Sequence, residues 1–205
     1  MGRRENKREA TRQEILTAAK ELFQTKGFDA TSIDDIGAAA DVAKGTFYYH
    51  FDSKEALLST LHQSVLQKAT DEANEKIANG APPLQILFSL LAEIGQWTEA
   101  NPEFTRVMLT QHAMQFTHGG TPDNCPVSNT QDHHGFVGLI KELVLQAQQA
   151  KEIRNDITVE EVHRIVMPVI MATRSMWLLH REGSLVERQE RSMQLLLEGL
   201  SPARK

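Results

Sequence analysis

The sequence predicts an all-α chain: a small N-terminal unit of three helices, followed by a larger helical domain. Three observations carry that expectation. Apolar residues recur at helical spacing from Ile15 to the leucines near the C-terminus, with no strand alternation and no repeat. Helix start and stop residues punctuate the chain at intervals of one helix length. Two short helical stretches also face each other across a tight turn between Thr31 and Phe51. A chain of 205 residues can bury one good core or two small ones.

Taken in order, the first helix places Ile15, Leu16, Ala19, Leu22 and Phe23 on one face and stops at Gly27. Thr31 followed by Asp34 fits a capping box for the second, with Asp35 adding negative charge to its first turn. Ile33 and Ile36 then face inward. Asp41 occupies the turn, where an aspartate tolerates the left-handed conformation. The third helix covers Lys44 to Phe51. At about 100° per residue, Phe47 and Phe51 share one face, Gly45 and Tyr49 point away from it, and Thr46 and Tyr48 flank. Ser53 is a good N-cap for a longer helix to Ala78, carrying Leu57, Leu58, Leu61, Val65 and Leu66.

After Asn79-Gly80-Ala81-Pro82-Pro83, Leu84 to Ala100 forms the next helix, and Pro102 restarts another as a first-turn residue. That helix carries Phe104, Val107, Met108 and His112 toward Phe116. A loop rich in turn formers, Thr117 to Asn129, precedes a helix from Gly135 to Ala150. Thr158 and Glu161 make a second capping box, opening a helix to His180 in which Pro168 should produce a kink. Leu185 to Leu200 closes the chain.

The third helix carries chemistry suited to a polyanion. Lys44 supplies charge, Thr46 a hydroxyl, Tyr48 and Tyr49 phenols and His50 an imidazole, while Gly45 allows close backbone approach. Lys54 has no local stabilising role, because a cation is mildly unfavourable near a helix N-terminus, so a phosphate contact is expected of it. Thr31 is a further phosphate candidate. The net charge of −5 looks wrong for a nucleic-acid binder until it is divided along the chain. Residues 1–54 are neutral, with nine basic and nine acidic side chains, and the whole deficit lies beyond them. Within the first twelve residues, Arg3, Arg4, Lys7, Arg8 and Arg12 oppose only Glu5 and Glu9. A basic N-terminal arm touching phosphates, and strongly salt-dependent binding, are therefore expected.

In combination, these features resemble the N-terminal DNA-binding domain of the TetR family of bacterial one-component repressors. The resemblance covers Thr11 to Leu58, through Gly27-Phe28, Thr31-Ser32-Ile33, Ala39-Ala40-Asp41-Val42, Lys44-Gly45-Thr46-Phe47-Tyr48-Tyr49-His50-Phe51 and Ser53-Lys54-Glu55-Ala56-Leu57-Leu58. Two positions depart from it: Asp41 stands where the family usually has glycine, and Ala43 where a serine or similar cap is common. The resemblance implies a helix-turn-helix DNA-binding domain at 1–52 and a helical effector-binding and dimerisation domain at 53–205. It also implies a homodimer formed through the last two long helices, which presents both recognition helices to a palindromic double-stranded operator. The DNA contacts it points to are Thr31, Lys44, Gly45, Thr46, Tyr48, Tyr49, His50 and Lys54. The expected activity is repression relieved by a small effector; an activating or protein-sensing regulator is the alternative.

In the second domain, Phe88, Leu91, Trp97, Phe104, Met108, His112, Phe116, Phe136, Met167, Met171 and Trp177 bring rings and thioethers from several helices, which suits a lipophilic or aromatic effector. Arg174 follows an apolar stretch and needs a carboxylate, a carbonyl or a ligand anion; a salt bridge is the expected partner. Met176, Leu179, Leu185, Met193, Leu196 and Leu197 are the apolar candidates for the subunit interface. No cofactor or metal is expected, since Cys125, His133 and His134 with His112 or His118 match no standard ligand spacing. No nucleophile motif, phosphate loop or paired carboxylate suggests an enzyme. The charged N-terminus and the short apolar run Ile165 to Ala172, broken by Pro168, point to a cytoplasmic protein without a membrane span.

Overall fold

In the computed structural model, residues 2–117 and 131–199 are described, with the side chains of residues 3, 111–117 and 131–134 excluded. Every regular element among them is a helix: α1 (Arg3–Thr25), α2 (Ile33–Ala39), α3 (Lys44–His50), α4 (Lys54–Ala78), α5 (Pro83–Ala100), α6 (Pro102–Thr117), α7 (Gln131–Gln149), α8 (Val159–His180) and α9 (Leu185–Glu198). No described helix is long and apolar enough to cross a membrane.

The boundaries follow local chemistry. Gly27 takes a left-handed φ of 88° directly after α1. The Ser53 hydroxyl accepts from the Ala56 amide at the start of α4, and Thr158 and Glu161 form the capping box of α8. Pro102 opens α6, and Pro168 lies within α8. One start is displaced from expectation. The capping box of α2 is formed by Ser32 and Asp35 rather than Thr31 and Asp34, because the Thr31 hydroxyl already donates to the Gly27 carbonyl at 2.6 Å. The basic N-terminal segment is also not an extended arm: α1 begins at Arg3, so these residues are its first turns.

Two principal cores result. The first collects Ile15, Ala19 and Phe23 of α1, Ile36 of α2, Phe47 of α3, and Leu57 and Leu58 of α4. It also takes Phe104, Val107 and Met108 from α6, which thereby enters the core of the N-terminal unit. A hydrogen bond between the side chains of Gln24 and Asn101 reinforces that junction. The second core lies among α4, α5, α7, α8 and α9, centred on Leu90, Ile94, Ile140, Leu143, Ile170 and Met193. A small third cluster of Trp177, Leu178 and Leu185 packs on Leu109 of α6.

At the far end of α5, Glu99 Oε1 accepts from the amides of Leu185 (2.5 Å) and Val186 and from the Ser184 hydroxyl. This carboxylate satisfies the free N–H groups that open α9. Arg181, the left-handed C-cap of α8, pairs with Glu103 in the first turn of α6, and Arg106 joins the same carboxylate. The two arginines hold the Glu103 carboxyl below its ordinary range.

Candidate DNA-binding surface

α3 is anchored from beneath. Phe47 is fully buried and Phe51 nearly so, and their rings lie 6.0 Å apart. With one face fixed, the opposite face must project. Tyr49 is 68% exposed and Tyr48 49%, so two adjacent rings project from α3 into solvent. Gly45 is exposed, and a Cβ there would meet nothing within 4 Å, so a surface can approach this backbone closely. Thr46 is half-buried at the edge.

The turn from α2 to α3 sets the angle of that face. Asp41 takes φ 53°, the conformation its side chain tolerates. The Val42 amide donates to the Gly37 carbonyl, and a Cβ at Gly37 would come within 3.0 Å of the Val42 carbonyl oxygen. Close passage of α2 and the turn therefore requires the glycine. Ala43 caps α3 with no side-chain bond, leaving its first amides open.

Cations gather around the exposed rings. Arg8 Cζ lies 5.6 Å from the centre of the Tyr49 ring, and Arg12 Cζ lies 5.0 Å from that of Phe51. The N-terminal turns of α1 thus extend the surface of α3. Burial, followed by the nearby charges of Arg8 and Arg12, pushes the His50 imidazole below its ordinary pKa. Lys44 forms an exposed ion pair with Asp34 of α2 at 3.0 Å, which raises its pKa. That partner lies ten residues earlier, on the preceding helix. A comparable pair joins Lys26 to Asp35, whose carboxyl is held far below its usual range by Lys26 and Ser32.

Two expected phosphate ligands are otherwise engaged. Thr31 is 1% exposed, with its hydroxyl held by the Gly27 carbonyl, so it braces the loop after α1. Lys54 Nζ donates to the carbonyls of Phe28 at 2.5 Å and Thr31 at 2.8 Å, and sits 4.2 Å from the centre of the Phe28 ring. Its placement at a helix N-terminus is explained by these carbonyls, with no phosphate needed. Of the remaining candidates, Lys44, Gly45, Tyr48 and Tyr49 are exposed on α3 and Thr46 and His50 are half-buried at its edges, with Arg8 and Arg12 beside them.

The described members of the expected effector pocket are spread over the two cores, the third cluster and the surface. Trp97, Phe104 and Met108 belong to the first core, and the rings of Trp97 and Phe104 meet edge to face at 4.9 Å. Phe88, Leu91, Phe136 and Met167 belong to the second core and Trp177 to the third cluster, while Met171 is at the surface. The side chains of His112 and Phe116 lie outside the described residues, as do Cys125 and the neighbouring histidines. Among the described residues no three His, Cys, Asp or Glu side chains gather to hold a metal. Arg174 is buried without a carboxylate partner among the described residues, contrary to the expected salt bridge.

Of the expected interface residues, Met176, Leu179 and Leu197 are 51%, 75% and 40% exposed. Leu185 and Met193 are instead buried in their own chain, and Leu196 packs against its second core.

Residues 15–61 match the model of the bacterial regulatory proteins of the tetR family. The chain is 26% identical over 166 residues to the HTH-type transcriptional repressor NicS of Pseudomonas putida, covering 80% of this chain and 76% of that one. Identity with the transposon Tn10 TetC protein of Escherichia coli is 37%, across 38% of this chain and 41% of that protein. Among solved structures, the TetR family repressor FadR of Thermus thermophilus, in complex with lauroyl-CoA, superposes with a TM-score of 0.71 at 25% identity, over 95% of this chain and 97% of its own. The Bacillus subtilis regulator FadR shares the fold, with a TM-score of 0.72 at 19% identity, over 92% of this chain and 99% of its own.

Proposed function

From its place in the TetR family of bacterial regulatory proteins, we propose that this chain is a homodimeric repressor that leaves a palindromic operator when a small lipophilic effector binds its larger domain. The observation that carries the reading is the projecting face of α3, with Tyr48 and Tyr49 exposed above a buried Phe47 and flanked by Arg8 and Arg12. Lys44, Thr46, Tyr48, His50 and the α1 arginines would hold phosphates. Gly45 and Tyr49 would lie nearest the base edges. Two such faces on a dimer would meet successive major grooves roughly 34–36 Å apart.

For dimerisation, the supporting feature is the exposed apolar set Ile165, Met176, Leu179 and Leu197 on α8 and α9. A lipophilic effector is supported by the apolar second core and by the lauroyl-CoA held by the Thermus relative. Two elements could relay effector entry: α4, which runs from the first core into the second, and α6, whose Phe104, Val107 and Met108 sit in the first. A change in their positions would alter the separation of the two α3 helices. A coupling of about 1–3 kcal/mol per effector is typical of such relays.

The test is fluorescence anisotropy with DNA from upstream of the protein's own gene, titrated across salt. Tight, salt-sensitive binding that is weakened by Tyr49→Ala and Lys44→Ala is expected. Failure to bind any DNA at low salt would overturn the reading.

A further inference from the structure

We propose that Arg174, Thr98 and Gln189 form a buried receptor for the anionic head group of the effector, a carboxylate or phosphate carried on an apolar tail. The proposal rests on the effector reading above. It starts from three polar side chains on three helices, 7%, 1% and 2% exposed, that are left without hydrogen bonds. Arg174 Nε, Thr98 Oγ1 and both amide atoms of Gln189 have no partner among the described residues. Buried polar groups are almost always paired, and a buried charge without a counter-charge is costly, so such a group points to an absent partner.

Helix register sets Arg174 and Gln189 at one level of the bundle, with Thr98 less than one turn further along α5 from the residue that faces Gln189. Glu99 of α5 meets Leu185 at the start of α9, and one turn along both helices Gly95 faces Gln189. A Cβ at Gly95 would lie 2.8 Å from Gln189 Oε1, so the glycine leaves the amide its space. On α8, which runs antiparallel to α9, Trp177 and Leu178 pack on Leu185, and Thr173 approaches Ser192 at 3.4 Å. Arg174 therefore lies at the level of Gln189.

The polar layer also divides two apolar regions. One turn along their own helices from Thr98, Arg174 and Gln189 stand Ile94, Ile170 and Met193, all members of the second core. One turn the other way from Arg174 and Gln189 stand Leu178 and Leu185 of the third cluster. An anion at this layer would receive the guanidinium, hydroxyl and amide N–H donors, and its tail would enter the second core. Burial lowers Arg174 to about 10, which leaves it cationic at neutral pH.

Calorimetry of the full chain with decanoate, decyl phosphate and decanol tests the site. The wild type should bind at least one anion about tenfold or more tightly than the alcohol, the worth of one charge-assisted hydrogen bond. Arg174→Met should bring acid and alcohol within about twofold, Arg174→Lys should keep part of the preference, and retained operator binding would show that both variants fold. The proposal is overturned if the wild type ignores head-group charge, if Arg174→Met keeps the preference, or if no probe binds. Decanoate binding without operator release would refute repression by release while leaving the site standing. Equal operator release by decanol and decanoate would do the reverse.

Discussion

Lys54 separates two readings of one side chain, and Lys54→Met decides between them. In the structure the ammonium is an internal brace, donating to two carbonyls in the loop between α1 and α2 and lying over the Phe28 ring. Hydrogen bonds to a charged group are each worth about 1.5–3 kcal/mol when isolated from water. Here the site is only half-buried, and the Phe28 carbonyl also accepts from the Thr31 amide, so the two bonds together count for about one at the low end, roughly 1.5–2 kcal/mol. Together with the cation–π contact, a loss of about 2–3 kcal/mol is expected. For a chain of this length that corresponds to a fall in Tm of roughly 4–12 °C. Urea denaturation followed by circular dichroism gives the stability, and the same preparation gives operator affinity across salt. A phosphate ligand would behave in the opposite way. Its removal would lower the slope of log affinity against log salt by about 0.9 and leave stability unchanged. That pair of results would refute the brace.

Tyr49→Ala should weaken operator binding by roughly tenfold or more with no change in melting, since the ring is 68% exposed; loss of stability would indicate a packing role. His50 has a lowered pKa, so it is neutral in the free protein at pH 7, and nearby phosphates should favour its protonation. Operator affinity should therefore rise as pH falls from 7.5 to 6 and should do so less in His50→Gln, measured by anisotropy at fixed salt. Glu99→Ala removes the acceptor that caps α9 and should cost about 1–2 kcal/mol in a urea titration; an unchanged midpoint would show the cap to be dispensable. Leu179→Asp, at a position 75% exposed, should yield monomers by sedimentation with undiminished helicity, whereas persistent dimers would place the interface elsewhere.

The sequence carried the helices well because caps and apolar periodicity are local. Ser53, Pro102 and the Thr158–Glu161 box mark their helix starts, and Asp41 adopts the left-handed turn expected of it. The exposed face of α3 was legible for the same reason, since two phenylalanines on one side dictate what projects from the other. Errors arose where distant residues decide. Thr31 and Ser32 are equally plausible caps until a carbonyl from Gly27 takes the first. Lys54 finds its partners 26 and 23 residues earlier in the chain, beyond any local pattern. Periodicity also places Trp97, Phe136 and Trp177 inside without saying which core each joins. Likewise, Leu185 and Leu197 share a helix, but only its neighbours determine which leucine the chain buries for itself.

The penetration of α6 into the first core bears on how such proteins can be recombined. A chimera cut at residue 52 and joined to a foreign sensor domain would lose Phe104, Val107 and Met108, along with Leu57 and Leu58. The transplanted reading head would carry an open apolar wound where those side chains had been. Exchange of operator specificity by cassette swapping therefore has to respect a seam that is discontinuous in sequence. The donor fragment must bring the first turns of α4, and the acceptor's α6 must present a matching surface. In a biosensor built from this chain, that surface is the design variable, and the linker is not.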